Sequence, residues 1–276
     1  MTDSLADSLA DLALVSAGAM AIGVLGMLVT ALVAIRVRRI SVVDVTWGVA
    51  LTATALWCWV FARSSLTLLV LVMVAVWGLR LSGFMVVRSR GHGEDPRYER
   101  LVGAVGSPGW WGRATRKVFV LQGGAVWFVS WPLQAAALAD GVAWTWAAYA
   151  GIAVFLVGLF FEWVGDLQLQ RYKALPRESR PQVLDSGLWA WSRHPNYFGD
   201  AAVWWGIWLV AAVSTGWLPA LLTVPAPLAM TYFLAYATGA RPLERTMMQR
   251  PGYPEYAARV PMLVPRPPRR SGSHAA

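Results

Sequence analysis

Long apolar stretches recur along the whole chain, and each has about the length that a helix needs to cross a membrane. They lie near residues 12–35, 42–61, 66–88, 118–138, 142–166, 198–214 and 217–239. Roughly 20 apolar residues in a helix cover about 30 Å of hydrocarbon, whereas barrel strands would be shorter and would alternate in polarity. The sequence therefore predicts an all-α, polytopic integral membrane protein with about seven transmembrane helices. The stretch 198–214 is the shortest, and Gly199 and Gly206 interrupt it.

The chain is predicted to form one membrane domain over residues 12–268, since 57% of it is apolar and only 14% is charged. Residues 1–11 are expected to be a short exposed N-terminus, and residues 269–276 a disordered tail. The first residues are acidic, unlike the basic start of a signal peptide, so we expect the N-terminus to be retained.

Basic residues predict the orientation of the helices. Four segments hold all of the 24 lysines and arginines except Arg63 and Arg80: residues 36–39, 88–117, 171–193 and 241–270. Cytoplasmic loops are the ones enriched in Lys and Arg. Seven spans place these four segments on one side, with the N-terminus outside and the C-terminus cytoplasmic, whereas an even number of spans would mix the two sides.

Composition also excludes several ligand classes. The net charge of +9 is dispersed over short loops, which fits orientation and attraction to anionic lipids but not nucleic-acid binding. The lone Cys58 excludes an internal disulfide and a thiolate zinc cluster. His92, His194 and His274 lack the spacing of a metal site, and no metal is predicted.

Some acidic residues lie in membrane segments, where a charge costs free energy. Four of them lie within or at the rim of the apolar stretches: Asp44, Glu162, Asp166 and Asp200. A charge at the centre of a membrane helix costs about 2.5 to 3.5 kcal/mol, so each should face the protein interior and find a partner. One such acid could simply form an interhelical hydrogen bond or pair with Arg80. Glu162, Asp166 and Gln170 follow at intervals of four and share a helix face, which favours a site.

Two polar motifs adjoin these stretches. SRHPNYFGD, at 192–200, places a cation, an imidazole, an amide, a phenol and a carboxylate together, and RSRGHGEDPRYER, at 88–100, adds arginines, glycines and Tyr98. With FEWVGDLQLQRYK, SVVDVTWG and PLERTMMQRPGYPEYAARVPMLVPRPP, they resemble a bacterial membrane family, domain of unknown function 1295. That family is related to the C-terminal domain of steroid 5α-reductases. The resemblance covers residues 40–268.

The resemblance implies a seven-helix enzyme of the bacterial inner membrane that transfers a hydride from NADPH to a C=C bond of a steroid-like or other lipid substrate. It implies cofactor roles on the cytoplasmic face for five residues: Arg90, Tyr98, Asp166, Lys173 and Asn196. Further polar residues of the same stretches are assigned to the cofactor site: Arg88, Glu162, Arg171, Arg193, His194, Tyr197 and Asp200.

Asp44 is predicted to be the catalytic residue. Hydride addition to a conjugated alkene needs an acid that stabilises charge on the carbonyl oxygen, and a buried carboxyl can act as that donor. The reductases carry an acid in the corresponding helix. They also place a tyrosine about three residues before an arginine in the next helix, where this chain has Trp77 before Arg80. The substrate is therefore another lipid alkene, or a different phenol serves.

Two alternatives stay open from the sequence. Isoprenylcysteine and phospholipid methyltransferases, which use S-adenosylmethionine, share an RHPxYxG segment followed by a late Glu and an aromatic-rich tail. The arginine-rich loops and Asp44 argue for the reductase, because S-adenosylmethionine has no phosphates. The second alternative is a non-catalytic lipid-binding protein, which leaves the intramembrane acids unexplained. Substrate identity, the choice between NADPH and NADH, and oligomeric state do not follow from the sequence.

Overall fold

The computed structural model describes residues 2–268, with residues 2–4 described by their backbone only. This part of the chain is 76% helix and contains no strand. The α-helices are α1 (Thr2–Val37), α2 (Val43–Ala62), α3 (Ser65–Ser89), α4 (Pro96–Val102), α5 (Trp110–Ala114), α6 (Leu121–Val129), α7 (Trp131–Ala137), α8 (Thr145–Ala174), α9 (Pro195–Ala211), α10 (Trp217–Thr223), α11 (Pro225–Tyr232), α12 (Ala240–Met247) and α13 (Tyr253–Arg259). The predicted disordered tail, 269–276, lies outside the described residues.

Among residues 2–268, six helical segments are long and apolar enough to cross a membrane, and a bent pair makes a seventh if it forms one span. The six are Leu5–Val37, Val43–Ala62, Ser65–Ser89, Thr145–Ala174, Pro195–Thr215 and Trp217–Met247, and the bent pair is Trp110–Val129 with Trp131–Ala137. The predicted all-α membrane protein of about seven spans is confirmed. The predicted sidedness of the helices stays a prediction.

Two spans differ from their predicted form. Helix α1 begins at Thr2 instead of near residue 12, so the predicted N-terminal segment continues the helix, with exposed side chains at residues 5–14. The fourth span bends by 41° between α6 and α7. Pro132 lies in the first turn of α7, and a proline there removes a backbone donor and clashes with the preceding turn of a continuous helix.

The chain divides into two compact units. Unit 1 comprises Met1–Tyr149 and Ile207–Ala226, and unit 2 comprises Ala150–Gly206 and Pro227–Ala276. In unit 1, the backbones of α2 and α3 are in contact at Gly48 and Gly78. The approach is so close that a Cβ on Gly48 would overlap the carbonyl oxygen of Gly78. The Ser82 hydroxyl of α3 donates to the Val45 carbonyl oxygen at 2.7 Å. These contacts fix the first turn of α2, which carries Asp44.

In unit 2, glycines bring α8 against α9. A Cβ on Gly199 would overlap the Glu162 backbone nitrogen and the Gly158 carbonyl oxygen, and a Cβ on Gly206 would overlap the Phe155 backbone. Small residues permit such close approach between membrane helices. Gly199 and Gly206 therefore do not interrupt α9, which is continuous from Pro195 to Ala211. The face of α8 that carries Glu162 is buried by this packing.

Candidate functional site

A short hydrogen bond joins Asp44 to Tyr98 in unit 1. The Tyr98 hydroxyl donates to Asp44 Oδ1 at 2.5 Å, and Arg97 Nη2 lies 3.4 Å from Asp44 Oδ2. Asp44 stands in the first turn of α2 and is 24% exposed, while Tyr98, in α4, is buried. The structure thus places a phenol, a carboxylate and a guanidinium together at the end of a membrane-spanning helix.

Asp95 holds α4 and Arg97 in place. Its Oδ1 caps the helix by accepting the Arg97 backbone N–H at 2.8 Å, and its Oδ2 pairs with Arg97 Nη2 at 2.9 Å. Burial alone would raise the pKa of Asp95, but its hydrogen bonds to Arg97 and the Arg97 charge outweigh burial and lower it. Asp95 therefore stays ionised and keeps the Arg97 guanidinium directed at Asp44.

Glu94 ties this loop to the turn before α2. Its carboxylate accepts the backbone N–H groups of Ile40, Ser41 and Asp95, the last two at 3.0 and 2.9 Å. Arg39 Nη1 donates to the Ser89 carbonyl oxygen at 3.0 Å. The two predicted basic loops that follow the first and third spans therefore lie at the same end of unit 1, as the orientation prediction requires.

A second polar contact reaches the pair from α6. Trp47 donates its ring N–H to Gln122 Oε1, and the Gln122 side chain lies close enough to Tyr98 to act on the phenol. Burial raises the pKa of the Tyr98 phenol well above its ordinary value, and the Asp44 charge and hydrogen bond raise it further. Tyr98 is thus a neutral proton donor at physiological pH.

Unit 2 gathers the acids of α8 with the start of α9. Asn196 Nδ2 donates to Asp166 Oδ1 at 3.0 Å. Glu162, Asp166 and Asp200 are only 3%, 5% and 8% exposed. Because a carboxylate only accepts, Asn196 presents Nδ2 to Asp166, and its buried Oδ1 is left without a partner among residues 2–268. The prediction that Glu162 and Asp166 share an interior-facing side of one helix is met.

The RHP part of the 192–200 motif contacts the C-terminal segment. Arg193 makes a two-point pair with Glu244, with Nε 2.6 Å from Oε1 and Nη2 3.0 Å from Oε2. Its Nη1 donates to the Ala257 and Val260 carbonyl oxygens at 2.6 and 2.9 Å. His194 Nε2 lies 3.1 Å from Glu244 Oε1. Both residues thus contact α12, and Arg193 also binds the last turn of α13 and the residue after it.

Aromatic residues complete this contact. The Tyr256 hydroxyl donates to the Trp189 carbonyl oxygen at 2.6 Å, and that of Tyr253 to Glu244 Oε1 at 3.4 Å. Burial raises the pKa of both phenols, so both remain donors. The Ser192 hydroxyl lies 2.8 Å from the Leu263 carbonyl oxygen. The proline-rich end of the chain is therefore fixed against the segment before α9.

The predicted site residues fall into two groups, one in each unit. Unit 1 holds Asp44, Arg88, Arg90 and Tyr98, and unit 2 holds Glu162, Asp166, Arg171, Lys173, Arg193, His194, Asn196, Tyr197 and Asp200. The structure brings Asp44 to Tyr98 and Asp166 to Asn196, and it stacks Tyr197 on His194 with ring centroids 5.4 Å apart. Arg88, Arg90, Arg171 and Lys173 are exposed.

A family model described as "Protein of unknown function (DUF1295)" matches residues 31–260. The chain belongs to this family. Neither the curated proteins nor the solved structures contain a match. The expected relation of the DUF1295 family to steroid 5α-reductases stays a prediction.

Three residues of the DUF1295 chain that the sequence did not single out contribute to these contacts. Arg97 lies beside Asp44 and Tyr98, which are both predicted site residues. As a cation next to Tyr98 in the sequence, it could have been included in the predicted site. Gln122 is one of two amide side chains, with Gln134, in the apolar stretch 118–138, and a polar side chain there is a signal of the same kind as the intramembrane acids. Glu244 corresponds to the late glutamate of the methyltransferase pattern. Its pairing with Arg193 joins residues far apart in the sequence, and sequence spacing does not predict such a contact.

Removing the charge of Glu244 is expected to loosen the C-terminal segment. In Glu244→Gln, Arg193 loses a charge-assisted two-point pair, so amide hydrogen exchange in residues 253–260 should accelerate about tenfold or more. Exchange mass spectrometry of the detergent-purified protein measures this. Glu255→Gln changes an exposed acid of α13 and should leave exchange unchanged. Equal rates in the two variants would exclude this role of Glu244.

Proposed function

We propose that the protein is a membrane-embedded oxidoreductase that reduces a C=C bond of a lipid-like substrate by hydride transfer from NADPH. The site is proposed to face the cytoplasm from the bacterial inner membrane. The observation that supports this most directly is the hydrogen bond between Tyr98 and Asp44. It supplies an acid at the end of a membrane-spanning helix.

The pair is suited to protonating an oxygen or carbon that gains electron density. Tyr98 holds its proton because its pKa is raised. It donates that proton to Asp44 in the resting pair, so the phenol can donate to a substrate only after its hydroxyl turns away from Asp44. Arg97 balances the Asp44 charge. A substrate carbonyl beside this pair would be polarised by the phenol or by a protonated Asp44, which favours addition at its conjugated β-carbon.

The donor set also fits the proposed cofactor. Bound NADPH supplies a hydride. Asp166 accepts hydrogen bonds of the kind that ribose hydroxyls donate, and the buried Asn196 Oδ1, which has no partner in the described chain, suits an amide N–H. In unit 2, the exposed Arg171 and Lys173 are proposed to neutralise phosphates. Arg88 and Arg90 are exposed in unit 1, and their phosphate-binding role stays a prediction from the resemblance. Glu162, Arg193, His194, Tyr197 and Asp200 are proposed to shape this site from α8, α9 and the segment before α9.

A specific contact supports a second candidate, an S-adenosylmethionine-dependent methyltransferase. The methyltransferases that the 192–200 motif resembles combine RHPxYxG with a late glutamate. In this chain Arg193 and His194 both contact Glu244. The methyltransferase hypothesis leaves Asp44, Tyr98 and Arg97 without a role, and the reductase is therefore the preferred proposal.

Thermal unfolding of the detergent-purified protein with each cofactor separates the candidates. NADPH at 100 times its Kd is expected to stabilise the fold by about 2.7 kcal/mol, whereas S-adenosylmethionine should leave the unfolding temperature unchanged. The opposite pattern would replace the reductase by the methyltransferase. Stabilisation by neither cofactor would count against both, and would favour the non-catalytic lipid-binding alternative.

A further inference from the structure

Unit 1 contains a cavity of about 920 Å³ that the proposed reaction does not use. It lies beside the bend between α6 and α7. Its wall is formed by the N-terminal half of α1, by α6 and α7, by residues 138–143 and by α10. Its volume is in the range of small-molecule sites, roughly 300 to 1,000 Å³.

This cavity is remote from Asp44. Ser16 of α1 lines the cavity, whereas Thr30 of the same helix hydrogen-bonds Thr46 of α2 at 2.5 Å, next to Asp44. Residues 16 and 30 are separated by about 21 Å along an α-helix. A molecule held at Ser16 would therefore occupy the opposite end of unit 1 from the Asp44–Tyr98 pair.

Most of the wall is apolar and fixed. Trp127 and Trp131 line it and meet edge to face with ring centroids 5.4 Å apart. Trp127 is held by its ring N–H, which donates to Ser16 Oγ at 3.0 Å. Leu138 and Leu222 extend the apolar surface. A hydrocarbon body of matching length would be shielded from water by these side chains.

Gln134 directs a hydrogen-bond acceptor into this apolar space. The Ser130 hydroxyl donates to the Trp127 carbonyl oxygen at 2.7 Å, so Ser130 Oγ can only accept from Gln134, which lies 2.9 Å away through Nε2. If the amide were flipped, Oε1 would face the Ser130 and Trp127 oxygens, which both accept. No hydrogen bond could then form, so Nε2 is the atom that faces them. Gln134 is 4% exposed, and its two hydrogen bonds, to the Trp127 carbonyl oxygen and to Ser130 Oγ, both run through Nε2. Its Oε1 is thereby available to a ligand that donates.

Two threonines of the wall also accept, while the Ser16 hydroxyl, which accepts the Trp127 ring N–H, keeps a proton that an alcohol oxygen can accept. The hydroxyl protons of Thr215 and Thr223 are engaged by the Ala212 and Pro219 carbonyl oxygens, at 2.8 and 2.7 Å. Asp140 lines the cavity with an exposed carboxylate. A ligand with an anionic end would be repelled by Asp140 and would leave Gln134 unsatisfied. We propose that this cavity binds a neutral lipid alcohol, whose hydroxyl donates to Gln134 Oε1 and whose hydrocarbon part packs against Trp127 and Trp131.

Binding of 1-dodecanol and of dodecanoate to the full chain tests the proposal. The protein is purified in a detergent without a dodecyl chain, and bound ligand is counted by native mass spectrometry during titration. The alcohol should bind at least tenfold more tightly than the carboxylate. Gln134→Met, which keeps the volume and removes the acceptor, should weaken alcohol binding about fivefold, the value of one neutral hydrogen bond. Equal binding of the two ligands would overturn the proposal.

Filling the cavity gives a second test that does not depend on Gln134. Ala135 lines the cavity, so Ala135→Phe should abolish alcohol binding, whereas Val120→Phe adds a ring at an exposed position and should not. Dodecanol binding by a folded Ala135→Phe protein would overturn the proposal. Asp44→Asn should bind dodecanol normally, so loss of reductase activity and loss of this site are distinguishable.

Discussion

Asp44→Asn and Tyr98→Phe are each expected to lower reductase turnover by about 10²- to 10³-fold, the usual effect of removing one preorganised donor. Both substitutions preserve shape. The asparagine can accept the Tyr98 hydrogen bond but cannot hold a proton, and the phenylalanine cannot donate one. Asp44 has no proposed cofactor role, so thermal stabilisation by NADPH should persist in Asp44→Asn.

The measurement is NADPH oxidation with lipid-soluble α,β-unsaturated ketones and aldehydes, with the product identified by mass spectrometry as the substrate plus two hydrogens. If the phenol and the carboxylate act as one unit, the double variant should be no slower than the slower single variant. Tyr149→Phe removes a hydroxyl at an exposed position of α8 and should retain full activity. Full activity in both Asp44→Asn and Tyr98→Phe would remove the pair from the mechanism.

The spans were predictable because a membrane helix depends on local composition. Apolar length alone placed both ends of α2 and α3 within one residue and the start of α8 within three, whereas α8 continues eight residues past its predicted end, through the mostly polar segment 166–173. The start of α1 was missed, since its first turns carry acids that a hydropathy criterion rejects. The bend at Pro132 was also missed, because a proline in a membrane helix is compatible with a straight or a bent span.

The candidate site was predictable only in part. The interval of four between Glu162 and Asp166 is a local property, and it correctly indicated a shared, buried face. The Tyr98–Asp44 contact joins residues far apart in sequence, and α4 has to fold back on α2 to make it. A phenol was expected near residue 77 by resemblance, but Trp77 is fully buried, and Tyr98 supplies the phenol beside Asp44. Periodicity does not report such tertiary contacts.

Gly199→Leu is expected to prevent stable folding, because α8 and α9 leave no room for a side chain at this position. Even a Cβ would overlap the Glu162 nitrogen and the Gly158 carbonyl oxygen, and backbone atoms cannot move aside as a side-chain end can. Overpacking typically costs about 1 to 3 kcal/mol and occasionally more. Because the obstacle here is backbone, the cost is expected at or above the upper end of that range, a large share of a stability of about 5 kcal/mol. Thermal unfolding and yield of monodisperse protein in detergent measure the effect. Gly124→Leu is the matched control, since a Cβ at Gly124 meets no atom within 4 Å, and it should fold normally. A stable Gly199→Leu protein would show that α8 and α9 can separate, and the burial that holds Glu162 and Asp166 would then need another cause.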